Sequence, residues 1–184
     1  MLPVRVSRVQ ALALSTLIAI LAATAGYALR HELTATPVEQ VASSRAPSEQ
    51  KALEPAEEAY AEALLPIQQV VSVAALRMSF AGLAYKIEDN DPRRLEETVR
   101  RLREEFRAAL DGAGRLQAPE SLHRIRDQYV EALTLYEAAS AEMMRFAQDN
   151  SEEHLIEAQG MSQRASENVL RVGDILWPAA HKPH

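Results

Sequence analysis

The chain has 184 residues, of which 47% are hydrophobic and 25% are charged, but only 5% are aromatic. It contains no cysteine, which excludes disulfides, thiolate metal sites, c-type haem attachment and a lipoprotein anchor. The formal net charge is -6, and because an acidic surface repels phosphate groups, we expect no nucleic acid among the partners.

The most apolar stretch is VQALALSTLIAILAATAGYAL, residues 9–29. As a helix it would be roughly 31 Å long, about one hydrocarbon thickness. Arg5 and Arg8 precede it, and this charge bias places the N-terminus in the cytoplasm. We expect residues 1–30 to be a signal anchor that crosses a bacterial inner membrane once. Residues 9–29 would then contact the lipid bilayer, and the rest of the chain would lie in the periplasm or outside the cell.

The same segment is also typical of a cleaved secretory signal peptide. Its apolar core, Ala11–Ala22, is followed by small residues up to Ala25, so the alternative is a soluble exported protein cleaved near Ala25. Both interpretations export the rest of the chain. Small residues at Ser15, Ala19 and Ala23 would let another membrane helix pack closely, although abundant alanine in a signal region explains the same spacing.

Residues 31–54 are predicted to be a flexible linker, because Pro37 and Pro47 interrupt any helix there. The first helix is predicted from Pro55 to about Asp89, with Pro66 causing a kink or a break. Apolar residues at steps of three and four predict its buried stripe. These are Ile67, Val71, Ala74, Met78, Ala81 and Tyr85.

The second helix is predicted to begin at the cap Asn90-Asp91-Pro92 and to end at Gly112 and Gly114. Its opposite face alternates arginine with glutamate, which indicates solvated i,i+4 ion pairs rather than a basic binding patch. The predicted buried stripe comprises Leu95, Val99, Leu102, Phe106, Ala109 and Ala113.

Two more helices are predicted from about Pro119 to Gln148 and from Asn150 or Ser151 to Trp177, with Asn150 and Glu153 forming a capping-box-like pair. The buried stripe of the third comprises Leu122, Ile125, Tyr129, Ala132, Tyr136, Ala139, Met143 and Phe146, and that of the fourth Leu155, Ala158, Ser162, Ala165, Val169, Val172 and Leu176. The fourth stripe alternates steps of three and four, which indicates coiled-coil-like packing. Because the connections are short, residues 55–178 are predicted to form an antiparallel up-down four-helix bundle followed by a short tail, residues 179–184.

No catalytic, cofactor or metal site is expected, and the chain is not expected to be an enzyme. A di-iron bundle needs two Glu-x-x-His motifs, and the chain offers Glu120 and His123 alone. His154, like His123, lies beside the apolar stripe rather than on it. Arg77 and Lys86 are candidates for an anionic-ligand cleft, although packed stems with charges in water are the simpler and favoured explanation.

These features predict a membrane-anchored, extracytoplasmic bundle that acts through protein contacts with other membrane or envelope proteins, as an accessory or scaffold subunit of a membrane-associated complex. In its order, one spanning helix followed by four helices, the chain resembles the sensor part of chemoreceptors of the four-helix-bundle type. That resemblance implies ligand sensing as the alternative. A haem or metal carrier is a third, weaker hypothesis.

Overall fold

A computed structural model describes residues 52–87 and 91–178 of the chain. They form helices α1 (Pro55–Ile87), α2 (Pro92–Arg115), α3 (His123–Asp149) and α4 (Glu152–Leu176), with a 3₁₀ turn at Glu120–Leu122. No strand occurs in this part of the chain, so the prediction of an all-helical fold with four helices in these residues is confirmed. The predicted anchor, most of the linker and the tail lie outside the described residues.

Helix α1 begins at Pro55, as predicted, and continues through Pro66 without interruption. Of the predicted kink or break at this proline, the break is therefore wrong, and the kink stays a prediction. Proline removes one backbone donor from the helix, but Leu64 and Val71 on either side of it are both buried. The packing of the helix on both sides of Pro66 offsets the cost of the missing hydrogen bond.

Helix α2 begins with the predicted cap, because Oδ1 of Asp91 accepts hydrogen bonds from the backbone N–H of Arg93 (3.0 Å) and Arg94 (3.4 Å). It does not end at its glycines but runs through both to Arg115. A Cβ atom added at Gly112 would lie 3.2 Å from Cδ1 of Ile67. Gly112 therefore marks a close approach between α1 and α2 and not a helix end.

The connection between α3 and α4 differs from the predicted capping box. Asn150 closes α3 in the left-handed conformation, with φ of 56°, and its side-chain oxygen accepts a hydrogen bond from the Tyr85 hydroxyl at 3.2 Å. Ser151 takes the N-cap position of α4 without a side-chain cap. The predicted pairing of Asn150 with Glu153 is wrong because Asn150 is used as the C-cap of α3 and as a contact to α1.

Each helix packs mainly on the next one in the chain, and α1 has only slight contact with α3 and α4. That slight contact includes the last turns of α1, where the Tyr85 ring meets the Phe146 ring edge-to-face at 5.3 Å. Lys86 Nζ lies 3.7 Å from a Glu152 carboxylate oxygen in the same region. Helix α1 therefore has one extensive helix–helix interface, with α2, and the side of α1 turned away from α2 remains exposed.

The buried core follows the predicted stripes closely. Every residue of the α2 stripe is buried, and the stripes of α3 and α4 are buried apart from the partly exposed Ile125, Leu155 and Ser162. At the centre, the Phe106 ring of α2 stacks on the Tyr136 ring of α3, with centroids 5.0 Å apart. Arg103 and Arg107 of α2 donate to Glu137 of α3 beside this stack.

Candidate interaction surface on the first helix

Helix α1 is apolar on two opposite sides. One side is buried, with Leu64, Val71 and Met78 nearly inaccessible to solvent. The opposite side carries large hydrophobic residues that remain exposed: Leu65 38%, Val73 56%, Leu76 40%, Phe80 46% and Ile87 65%. A helix that is apolar on opposite sides is normally buried on both. Helix α1 departs from this rule, because the other described helices leave one of its apolar sides uncovered.

The exposed residues keep a coiled-coil spacing over the second half of α1. Val73, Leu76, Phe80, Leu83 and Ile87 follow one another at steps of three, four, three and four residues. We call these five residues the outward seam. Leu83 is partly exposed, and the other four are among the most exposed large hydrophobic residues of α1. This spacing is the one with which a helix packs against another helix of similar direction.

The charges next to the outward seam are already paired. The chain from Ala63 to Leu76 contains no charged residue. Arg77, which follows it, donates through Nη1 to both carboxylate oxygens of Glu105 on α2, at 2.8 and 3.2 Å. Lys86, which precedes Ile87, lies 3.7 Å from Glu152 of α4, so both cations beside the seam have an acidic partner on another helix.

A shallow groove of about 280 Å³ runs beside the seam, between α1 and α2. Its apolar lining comes from Phe80, Ala81 and Ala84 of α1 and Leu95 of α2. Alanine at two of these positions leaves room that a larger residue would fill. The groove extends the apolar surface from the seam toward α2.

The two cations that were candidates for an anionic-ligand cleft are not brought together. Lys86 is nine positions after Arg77, which is two and a half turns of an α-helix, so the two side chains leave α1 on opposite sides. Arg77 is held by Glu105, whereas Lys86 lies near Glu152 and 5.2 Å from the centre of the Phe146 ring. The packing candidates Ser15, Ala19 and Ala23 lie outside the described residues.

A polar cluster joins the end of α3 to the start of α4. The His154 ring lies between two carboxylates, with Nδ1 2.7 Å from Glu142 and Nε2 3.2 Å from Asp149. Glu142 is buried, and its other oxygen accepts from Arg145. Glu157 brings a further oxygen within 4.8 Å of ligand atoms of Glu142 and His154. One oxygen of Glu142 is therefore bonded to Arg145 and the other to His154. We interpret the cluster as an ion-pair network that fixes the α3–α4 turn.

The predicted stripe of α1 is buried apart from the partly exposed Ile67 and Ala81, whereas the outward seam was not predicted. The signal was present in the uncharged run before Arg77 and in the seven-residue intervals Val73, Phe80, Ile87 and Leu76, Leu83. Periodicity identifies apolar faces, but whether α3 and α4 cover the second face depends on contacts between distant parts of the chain.

Helix α1 is also the one helix in the described part of the chain that is long and apolar enough to cross a membrane, judged by length and composition alone. No protein-family model, curated protein or solved structure matches the chain. The exposed apolar side of α1 is therefore the feature from which a function can be inferred.

Proposed function

We propose that the chain is a membrane-tethered, extracytoplasmic helical domain that acts through protein contacts, as an accessory or scaffold subunit of a membrane-associated complex. In this proposal residues 55–178 form an antiparallel four-helix unit, and residues 9–29 hold it at the inner membrane. The observation that carries the proposal is the outward seam of α1, a row of exposed hydrophobic side chains with helix-packing spacing. Exposed apolar surface of this kind marks an interaction site.

The seam is better suited to protein than to lipid. Helix α1 lies against α2, and the Arg77–Glu105 ion pair joins the two helices. Burying α1 in hydrocarbon would bring the arginine- and glutamate-rich α2 close to the lipid, at a large free-energy cost. Helices that lie in a membrane surface also carry several lysine and arginine residues beside the apolar face, whereas α1 has only Arg77 and Lys86, and each lies near a glutamate of another helix.

A ligand-sensing role ranks second because its candidate cations, Arg77 and Lys86, diverge and each lies near a glutamate. A cleft for an anion requires cations that converge on one point. Protein contact requires only the exposed seam.

The tether is tested by the mass of the mature protein. When the full chain is expressed in a bacterium, we expect it in the inner-membrane fraction with an intact mass that still includes residues 9–29, because an apolar helix of that length is retained. A soluble exported product beginning near Gly26 would contradict the tether. It would leave the interaction surface of α1 to be tested separately.

The surface is tested by placing a charge in the seam. We expect Phe80→Glu in the full chain to abolish the larger assembly that wild type forms in native membranes, measured by native electrophoresis after mild-detergent extraction. A carboxylate buried in an apolar interface without a partner is strongly unfavourable. The matched control is Leu170→Glu on α4, because Leu170 is 49% exposed and Phe80 46%.

Both substitutions are on the surface, so both variants should keep the wild-type melting temperature to within a few degrees. An assembly that survives Phe80→Glu, or that is lost equally with Leu170→Glu, would contradict the proposal.

A further inference from the structure

We propose that the outward seam of α1 pairs with the same seam of a second copy of this chain, as a short parallel two-stranded coiled coil. This inference rests on the proposed function and names the partner of the same surface. It depends on three features of α1: the residues in the seam, the charges beside it and its area.

The residues of the seam match those of a parallel dimer. In heptad terms Val73, Phe80 and Ile87 take the a positions, and Leu76 and Leu83 take the d positions. β-Branched residues at a with leucine at d favour two parallel strands over trimers and tetramers. Two of the three a residues here are β-branched, and both d residues are leucine. An isolated helix with two heptads would be unstable, but α1 is already folded against α2, so pairing does not have to order the helix.

The residues that flank the seam do not oppose pairing. In a parallel coiled coil, each g residue of one helix faces the following e residue of the other. Here Ser72 would face Arg77, and Ser79 would face Ala84. Lys86 is the third g residue, and the e position that follows it lies beyond the end of α1, so no like charges meet along the helix. Arg77 is also neutralised by Glu105 of its own copy. The flanks therefore tolerate a second identical helix, even though the chain as a whole is acidic.

The area of the seam is near the minimum for a stable dimer. Half-exposed side chains of this size offer on the order of 500 Å² per copy, so two copies would bury about 1,000 Å², the lower limit of specific interfaces. Such a contact is weak between molecules that are free in solution. Two copies tethered to one membrane meet at a much higher effective concentration, and the tether makes the small interface sufficient.

The tether also favours the parallel arrangement. The linker enters α1 at Pro55 in every copy, so in a parallel pair both linkers leave from the same end. A two-fold axis perpendicular to the membrane satisfies both tethers. In an antiparallel pair one linker would have to span the length of the helices as well.

The absence of cysteine from the chain allows a clean cross-linking test. Val73→Cys and Phe80→Cys are each placed in the full chain, expressed in membranes and oxidised mildly; Leu170→Cys on α4 is the matched control. We expect both seam variants to give a disulfide-linked dimer of twice the chain mass at least tenfold faster than the control. In a parallel pair each a residue lies opposite its own copy, within reach of a disulfide.

Each other outcome overturns a stated part of the inference. If only one seam variant cross-links, the pair is antiparallel, because positions seven residues apart cannot both face their own copies in that arrangement. If Leu170→Cys cross-links as fast, the dimers come from random collision. If neither seam variant forms a homodimer while Phe80→Glu still abolishes a larger assembly, the partner is a different protein. In that last case the proposed function stands and the self-pairing fails.

Discussion

Phe106→Ala is expected to lower the free energy of unfolding by about 3–5 kcal/mol, the range found when a large aromatic side chain is removed from a core. Phe106 has no exposed surface, and its ring stacks on Tyr136 with an angle of 7° between the planes. Tyr136 in turn hydrogen-bonds Ser166 of α4 at 2.8 Å. The substitution therefore leaves a cavity where α2, α3 and α4 meet, and removes an aromatic pair as well.

Denaturant unfolding followed by circular dichroism measures this loss. The control is Leu170→Ala, which shortens a half-exposed leucine on α4 and should change stability by less than about 0.5 kcal/mol. A loss for Phe106→Ala that is no larger than the loss for the control would show that the stacked pair is not at the centre of the core.

Glu137→Gln is expected to lower the free energy of unfolding by about 1–3 kcal/mol near neutral pH. One oxygen of Glu137 accepts from Nε of Arg103 at 2.7 Å and from Nε of Arg107 at 2.9 Å. The carboxylate thus joins two turns of α2 to α3. The amide of glutamine keeps the shape but loses the charge that strengthens both bonds.

The effect should depend on pH with a definite sign. Burial by itself raises the pKa of Glu137, but the hydrogen bonds and charges of Arg103 and Arg107 outweigh burial and hold the pKa below its ordinary value. Because the pKa is lower in the folded chain than in the unfolded chain, the stabilisation is present above the unfolded value of about 4.3. It is lost as the pH falls through the folded value.

Wild type and Glu137→Gln should therefore converge in stability as the pH is lowered, because a protonated Glu137 resembles glutamine. Glu97→Gln is the matched control. Its partner Arg101 lies at 3.9 Å, and both side chains are mostly exposed, so its loss should stay below about 0.5 kcal/mol at any pH. A stability gap for Glu137→Gln that does not change with pH would contradict the role of the two arginines.

The parts of the fold that could be predicted are those with a strong local signal. Helix α2 shows this most clearly, because charged residues cover every face except one, and all six residues of that face are buried. Its start at Asp91 was predictable too, since an acidic cap before a proline is a local motif. The helix end was predicted to within one residue, since α2 stops at Arg115, just after Gly114. The close approach at Gly112 was not predictable, because a Cβ there would lie 3.2 Å from Ile67 on another helix.

The parts that could not be predicted depend on residues far apart in the chain. Asn150 was expected to cap α4, but Tyr85 and the end of α3 determine its conformation. The surroundings of Arg77 and Lys86 could not be predicted either, because their acidic neighbours, Glu105 and Glu152, lie on other helices. The outward seam also depends on distant parts of the chain, because an apolar face becomes an interaction surface only when no other helix covers it.

The arrangement of α1 also determines how the protein would respond to a mechanical force. Helix α1 is held along one side by α2, and near its end Tyr85 reaches α3 and Asn150. A pull on the chain before Pro55 would load first the contacts near the start of α1, such as the bond from Ser121 to Glu57 at 2.6 Å. These contacts would break in sequence from the start of α1, and the Phe106–Tyr136 core would bear little of the force. A pull on the chain before Pro55 would therefore detach α1 from α2 before the remaining helices unfold.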